Sequence, residues 1–531
     1  MSKLDTYRGR WQINPTTVPV EVIVQDFDFV QYPVIRILDP SISKSRKLPH
    51  ILGPDGIVCY YGFGAAILDR YDPGGTIVRC LAKAEKVLTD ALSGRLDGDF
   101  AAEFASYWAT SWMLYDLPRD YSGLGSVVYP HLRSDKVPTP VLIKKSSWVT
   151  ERDPASKNGA EAALIVTVNE PLSLDPTVDW PPENLLQLKR WLRWVAPGLT
   201  SKLDEALIKS NRAGAILAVR ATNGLFALRL DVPRHLQTTE FLKQRRSSLP
   251  KVMDRMAANV PVERIRADAA DPQYIYGRNI GSRRNFGGKA ILVIGCGTIG
   301  GFLAHQLAQS GAGTAGGRLV LADTDDLRTA NLGRHLLGVP YLHCNKAEAT
   351  AAFIKTMLPD INVEAEKSDG LTIPTERFAL VIDVTGEETL SIALNQKAID
   401  SRPDVCAHIF GWLVGNGAIA QCILVDSDVD KACFKCLKPE LGGQPRFRTL
   451  KPDAHVEIGS IAACGDAEFT PFPVSRSISA AAQVLELALD WVNGNTSPRF
   501  RSQTFDSKQA YHVSNTSPLA LSTCPACNSR R

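Results

Sequence analysis

No stretch of this sequence is apolar for the roughly 18–20 residues that a membrane span needs. Its first residues, MSKLDTYRGRWQ, lack the apolar centre of an export signal, so a cytoplasmic location is the expectation. Charge of one sign is also scarce. A net +4 over 531 residues is too slight to argue for direct nucleic-acid binding. There is no internal repeat and no low-complexity tract. What remains is a chain of ordinary globular composition, 44% apolar and 22% charged, long enough for two to four domains at about 100–200 residues each. Eleven cysteines, an odd number, suit a reducing compartment in which thiols serve metal binding or catalysis.

The first 116 residues alternate as an α+β module. VEVIVQDF and YPVIRIL read as strands, TIVRCLAKAEKVLTDAL as a helix with Val78, Leu81, Ala82, Val87 and Leu88 on its apolar side, and DFAAEFASYWATSWML as a second helix. The aromatic stripe Phe100, Phe104, Tyr107 and Trp108 on that second helix reads as core packing. Between strands and helices lies LPHILGPDGIVCYYG, where Pro54, Asp55 and Gly56 make a turn. Cys59 follows the turn at once, held rigidly yet within reach. The plain alternative is a small hydrophobe opening a buried strand.

A Pro/Gly/Ser-rich stretch after residue 116 marks a boundary. Residues 117–269 then read as an α/β domain with strands AALIVTVN, AGAILAVRA and LFALRLDV and the helix ENLLQLKRWLRWV. No chemistry is evident in it, and the basic run FLKQRRSSLPK reads as a solvated helix face.

From residue 270 the pattern changes. KAILVIGCGTIGGFLAHQLAQSGAG followed by RLVLADTD is a β-α-β unit of a parallel, nucleotide-binding sheet. Gly295, Gly297 and Gly300 form GxGxxG, giving a tight turn, an open approach for a phosphate and close helix–strand packing. Asp323, at the end of the second strand, can hold ribose hydroxyls. A dinucleotide dehydrogenase would be the default, but Asp325, Asn331, Arg334 and Lys346 follow in close succession. That set suits a triphosphate, since Arg grips phosphate bidentately and Lys neutralises charge developing on pyrophosphate. Asp383 ends the strand FALVIDV, where a carboxylate could hold Mg²⁺.

These motifs closely resemble the ubiquitin-activating superfamily, including the bacterial ThiF-type adenylyltransferases. The resemblance covers about residues 270–531 and implies a Rossmann-like domain that uses ATP and Mg²⁺. It makes Arg278, before the first strand, a residue reaching the ATP of a second subunit, and hence implies a homodimer. DVTG stands where the family has Asp-Asn after the Mg²⁺ strand. CFKC and CPAC supply Cys433, Cys436, Cys524 and Cys527, the minimum for a closed tetrahedral Zn²⁺ site, although spacing alone also allows a redox pair. The family carries structural zinc at matching places. Cys464, in GSIAACGDAEF, falls in the crossover region that bears the acyl-accepting cysteine of activating enzymes; a thiolate is the natural attacker of an acyl-adenylate. Cys296 and Cys406 read as core.

With an activating module downstream, the first 116 residues resemble a ubiquitin-conjugating domain. His50, Gly56 and Cys59 match its His-Pro-Asn…Gly-x-x-Cys pattern, in a loop one residue shorter and without the asparagine that stabilises the oxyanion. Tyr60 and Tyr61 stand either at an acceptor channel or in the core. The whole chain is similar to the conjugating/activating fusion enzymes of type II CBASS antiphage operons and related bacterial ubiquitin-like systems. That resemblance implies adenylation of a partner protein's C-terminal carboxylate, a thioester on Cys464, transfer to Cys59 and conjugation to a target amine. The partner would be a CD-NTase-type cyclic-nucleotide synthase or a ubiquitin-like protein. The rivals are a sulfur-carrier adenylyltransferase, which has no need of Cys59, and a non-catalytic scaffold that binds a partner.

Overall fold

The computed structural model describes the chain except residues 1–4, 14, 44–45, 54, 63, 134, 146, 177–179, 211–213, 239–245, 405, 441–442, 460–468 and 529–531. It forms two compact units, Met1–Ala270 and Asp271–Arg531.

The first unit opens with strands β1 (Asp5–Ile13), β2 (Thr16–Val24), β3 (Val34–Ile37), β4 (Ile51–Leu52) and β5 (Ile57–Val58), antiparallel in the order β1-β2-β3-β5-β4. Val18, Val20, Val22 and Val24 alternate inward along β2, the period a half-buried strand requires. Helix α1 (Pro73–Leu92) covers that face. Asp72 caps it by accepting from the Gly75 N–H at 2.9 Å, and Pro73 sits in the first turn, where a missing N–H costs nothing. Its buried face is Thr76, Cys80, Ala84, Leu88 and Ala91. The apolar stripe expected from the sequence holds at Leu88, which is buried, and at Leu81 and Val87, which pack against the core, but not at Val78, 64% exposed, or Ala82, and Thr76, Cys80 and Ala84 are buried instead.

The second helix expected here is also different. It breaks into α2 (Asp99–Ala102) and α3 (Phe104–Trp108) and ends before strand β6 (Ser111–Asp116). Phe100, Phe104 and Trp108 are buried, as expected of core, but they pack with Trp180, Trp191 and Phe226, not with α1. Strand β6 joins β7 (Gly123–Val128), β8 (Val141–Ile143), β9 (Glu161–Thr167), β10 (Gly214–Ala221), β11 (Gly224–Asp231) and β12 (Val262–Ala269) in a closed barrel ordered β10-β11-β12-β6-β8-β7-β9, with β9 returning to β10. Met113, Leu142, Ile165, Ile216, Leu225 and several alanines fill its interior. Helices α4 (Leu185–Val195), α5 (Leu199–Lys209) and α6 (Leu249–Arg255) pack outside it.

The second unit follows a short helix, α7 (Pro272–Gly277). Strands β13 (Ala290–Ile294), β14 (Arg318–Ala322), β15 (Val363–Glu366), β16 (Leu380–Asp383), β17 (Ala407–Val414), β18 (Ile419–Val425) and β19 (Phe500–Thr504) form one sheet in the order β15-β14-β13-β16-β17-β18-β19. The first five in that order run parallel and the last two pairings are antiparallel. Helices α8 (Gly300–Gln309), α9 (Lys346–Met357) and α12 (Val474–Val492) cover one face. The other face carries α10 (Glu388–Asp400), α11 (Phe434–Leu437) and α13 (Pro525–Asn528). Strand order reverses between β13 and β16, the switch point where open α/β sheets bind ligands beyond the strands' carboxyl ends.

Candidate functional site

At that switch point lies a cavity of about 890 Å³. Gly295, Gly297, Asp323, Asp325, Asn331, Arg334 and Lys346 line it. The glycines divide their work by geometry. Gly295 has φ +88° and its missing Cβ would strike Thr385, while a Cβ on Gly300 would fall 1.7 Å from the Gly295 carbonyl. A Cβ on Gly297 would meet nothing within 4 Å, so the backbone there lies open to the cavity. Asp323 braces the loop, accepting from the Cys296 N–H at 2.7 Å and the Asp325 N–H at 2.8 Å. His335, buried, reaches the Cys296 carbonyl with Nε2 at 2.8 Å and accepts from the Leu337 N–H with Nδ1. Burial lowers its pKa, so the ring is neutral and Nε2 is the donor.

Lys346 is nearly buried, its Nζ 2.8 Å from Asp325, at the start of a helix capped by Asn345. Arg334 lies over the rings of Phe469 and Phe472 at 5.7 and 5.1 Å. Its Nε is buried without a hydrogen-bond partner among the described residues, a donor open to an anion. Asp383 is otherwise disposed than the sequence suggested. It is 2% exposed, with Oδ1 accepting from the Thr385 N–H and hydroxyl and Oδ2 from Ser391 at 2.5 Å. Burial raises its pKa, and Glu387, exposed, lines the cavity instead. Arg278 is exposed, 5.7 Å over the ring of Tyr274, and outside its own cavity; Tyr276 is core, its hydroxyl on the Pro359 carbonyl at 2.6 Å.

Cys433, Cys436, Cys524 and Cys527 come together with all four sulfurs within 4.8 Å of one another. Sulfur–sulfur distances of 3.5, 3.6, 3.8 and 3.9 Å compare with about 3.8 Å for the edge of a tetrahedron built on metal–sulfur bonds of about 2.3 Å. Donors point at two of them: Asn395 Nδ2 at Cys433 and the Leu521 N–H at Cys436. Such contacts stabilise thiolate ligands. The donor set and spacing therefore fit a closed metal centre.

In the first unit Cys59 is half-buried. Its N–H donates to the His50 carbonyl at 2.7 Å, and Gly56, at φ +64°, would put a Cβ 2.8 Å from the Ile37 carbonyl. The His50 ring sits between two carboxylates, Nε2 2.8 Å from Asp99 and Nδ1 3.1 Å from Glu103. Burial, and then the Glu103 charge, raise the Cys59 thiol pKa. Tyr60 is core, donating to the Pro33 carbonyl at 2.6 Å, and Tyr61 packs against it. Cys296 is core too, whereas Cys406 is only partly buried, 3.8 Å from the His408 ring. Cys464 lies outside the described residues.

Residues 2–115 match the prokaryotic E2 family B, and residues 282–524 match the ThiF family. Over 521 residues the chain is 31% identical to an ATP-dependent ubiquitin transferase-like protein Cap2 of Pseudomonas aeruginosa (strain BWHPSA011 / Pa011), covering 96% of this chain and 92% of the relative. The chain belongs to the Cap2 family of ATP-dependent ubiquitin transferase-like proteins. A Cap2 of Escherichia coli (strain TW11681) is 25% identical over 526 residues, 89% of this chain and 86% of that one. A ubiquitin-like modifier-activating enzyme 5 of Drosophila ananassae is 28% identical over 163 residues, 28% of this chain and 40% of that protein.

A Cap2-family chain is thus an activating and conjugating enzyme that uses ATP, with an N-terminal E2-like domain and a ThiF-like Rossmann domain. Sequence reasoning passed over Asp99 and Glu103 and took Tyr107 for core, whereas Tyr107 is half-buried with its hydroxyl on the His50 N–H and Glu103, and the spacing of four marks one face. It also passed over His335, Asn345, Asn395 and Glu387, which carry no motif of their own.

Proposed function

We propose that the cavity at the β13/β16 switch point binds ATP, with Arg334 and Lys346 on its phosphates and Asp323 on the ribose. The chain adenylates a partner protein's C-terminus and conjugates it. The partner carboxylate attacks the α-phosphate, pyrophosphate leaves, and an acyl-adenylate forms. The Cys464 thiolate then displaces AMP to give a thioester, which exchanges onto Cys59 and yields an amide when a target amine attacks. The Arg334 Nε, without a partner among the described residues and set among the glycine loop, Asp325, Asn331 and Lys346, is the observation that carries this reading.

A second cavity of about 540 Å³, sharing Gly415 and Phe472 with the first, supports entry of a peptide tail beside the phosphates. Its wall includes Arg476, His455 and Glu457. Mg²⁺ would screen triphosphate charge. Asp325 and Glu387 face the cavity for it, whereas Asp383 would first give up Thr385 and Ser391. Zn²⁺ on the four cysteines would be structural, with no open position for catalysis.

Residues 1–116 would act as the conjugating domain, with β6 lent to the barrel, 117–269 as a middle domain and 270–531 as the activating domain. The exposed Arg278 supports a homodimer in which it serves the partner subunit's ATP. The setting would be the cytoplasm and an antiphage operon, the partner a CD-NTase-type cyclic-nucleotide synthase or a ubiquitin-like protein. The test is chain, Mg-ATP and candidate partner on non-reducing gels, together with pyrophosphate exchange. Thiol-sensitive adducts lost in Cys464→Ala and blocked before target transfer in Cys59→Ala are expected. Undiminished transfer in Cys59→Ala would favour a sulfur-carrier-type adenylyltransferase, and no partner-dependent exchange would sink the activating reading.

A further inference from the structure

The segment 99–108 has two faces. Phe100, Phe104 and Trp108 lie in the core that flanks the barrel, where Trp108 Nε1 donates to the Ala227 and Ile265 carbonyls at 3.2 and 3.3 Å. One position round the helical wheel, Asp99, Glu103 and Tyr107 all turn to His50. Asp99 and Glu103 take its two ring nitrogens. The Tyr107 hydroxyl accepts from the His50 N–H at 3.3 Å and donates to Glu103 Oε2 at 3.1 Å. The His50 carbonyl accepts from Cys59. His50 is thereby held at its ring, its N–H and its C=O.

Such restraint matters because His50 has φ +61°, left-handed backbone that a side-chain-bearing residue adopts only when its surroundings impose it. Two carboxylates facing one ring are more than a single structural hydrogen bond requires.

We propose that Asp99, Glu103 and Tyr107 are positioning residues for Cys59, clamping His50 so that its carbonyl fixes the nucleophile's backbone. The clamp gives the middle domain a part to play, because the core that flanks its barrel anchors the apolar side of 99–108 while the polar side holds the thiol's loop still. The proposal rests on Cys59 being the acceptor thiol, and it adds the residues that hold it. The titratable groups set against the thiol are Glu103 and Tyr107, with His50 behind its own backbone.

The test uses the full chain and needs no partner. Hydrogen exchange of the Cys59 amide and the pH profile of Cys59 alkylation by iodoacetamide are compared among the unaltered chain, Asp99→Asn, Glu103→Gln and Glu103→Asp. Both amide variants should exchange the Cys59 N–H about tenfold faster, the loss of one hydrogen bond's hold. Glu103→Gln should move the alkylation midpoint to lower pH, since it deletes a negative charge beside the thiol. Asp99→Asn should leave the midpoint in place, and Glu103→Asp should restore it. A merely structural Glu103 would not separate these variants. Unchanged amide exchange in both Asp99→Asn and Glu103→Gln, with superimposed alkylation profiles, overturns the clamp; if Glu103→Gln does not fold, exchange in Asp99→Asn decides alone. Failure of the conjugation reading would show differently, as the lack of any acyl adduct on Cys59 in the unaltered chain.

Discussion

The cavity of the second unit and the Cys59 loop of the first are built on opposite plans. Around the cavity, main chain does most of the work. Parallel strands end together, glycines give close approach, and Asp323, just past a strand end, braces the loop by accepting from the Cys296 and Asp325 N–H groups. Around Cys59 the strands are two residues long, and the loop is held by side chains some fifty positions away. A site made from strand ends tolerates change in the elements around it. A site made from side-chain struts depends on a few distant residues, and its weak points lie outside its motif.

That contrast can be broken or sharpened by experiment. The largest effect should come from Cys524→Ser with Cys527→Ser. Metal analysis should find no zinc, and calorimetry should show the second unit's transition lost, a change on the order of 10 kcal/mol, with the first unit's transition retained. Next, Arg334→Ala should lower partner-dependent pyrophosphate exchange about 10²–10³-fold while leaving Cys59 alkylation untouched.

The third effect is on pH. His408, buried in β17 with Nδ1 on the Cys406 carbonyl, has its pKa pushed down to about 4 by burial. An unfolded chain's histidine takes up a proton near pH 6.5. Its contribution is therefore full above about pH 6.5 and is lost as pH falls towards 4, amounting to about 3 kcal/mol. Thermal melting of the second unit should follow that slope, and His408→Phe should flatten it. The smallest effect is Asp72→Ala, which removes the cap of α1 and should cost the first unit about 1 kcal/mol in denaturant melts, with the second unit unmoved.

Legibility in the sequence followed the same division. The β-α-β unit, the cavity residues and the paired CxxC knuckles were readable because each motif is local and its chemistry needs those residue types. The helix over 73–92 was readable as a helix but only partly by its face: Leu88 is buried as expected, while the buried Thr76 and Cys80 look polar or reactive in the sequence. Barrel closure left no mark, since strands alternate or run apolar whether or not the first meets the last. The segment 99–116 was misjudged because a run of aromatics fits a helix as well as a strand, and its partners come from residues 180–226. Asp383 looked like a cation ligand from its place at a strand end, and only the contacts of Thr385 and Ser391 show its carboxylate turned inward.

The four sulfurs also act as a clasp. They fasten the start of α11 to α13, ninety positions later, and so draw shut a loop that contains α12, the segment around Cys464 and β19. Stripping a metal from that clasp would do more than loosen the chain's tail. It would leave four thiols crowded together, with sulfurs as close as 3.5 to 3.9 Å, near enough for an external oxidant to link them as disulfides.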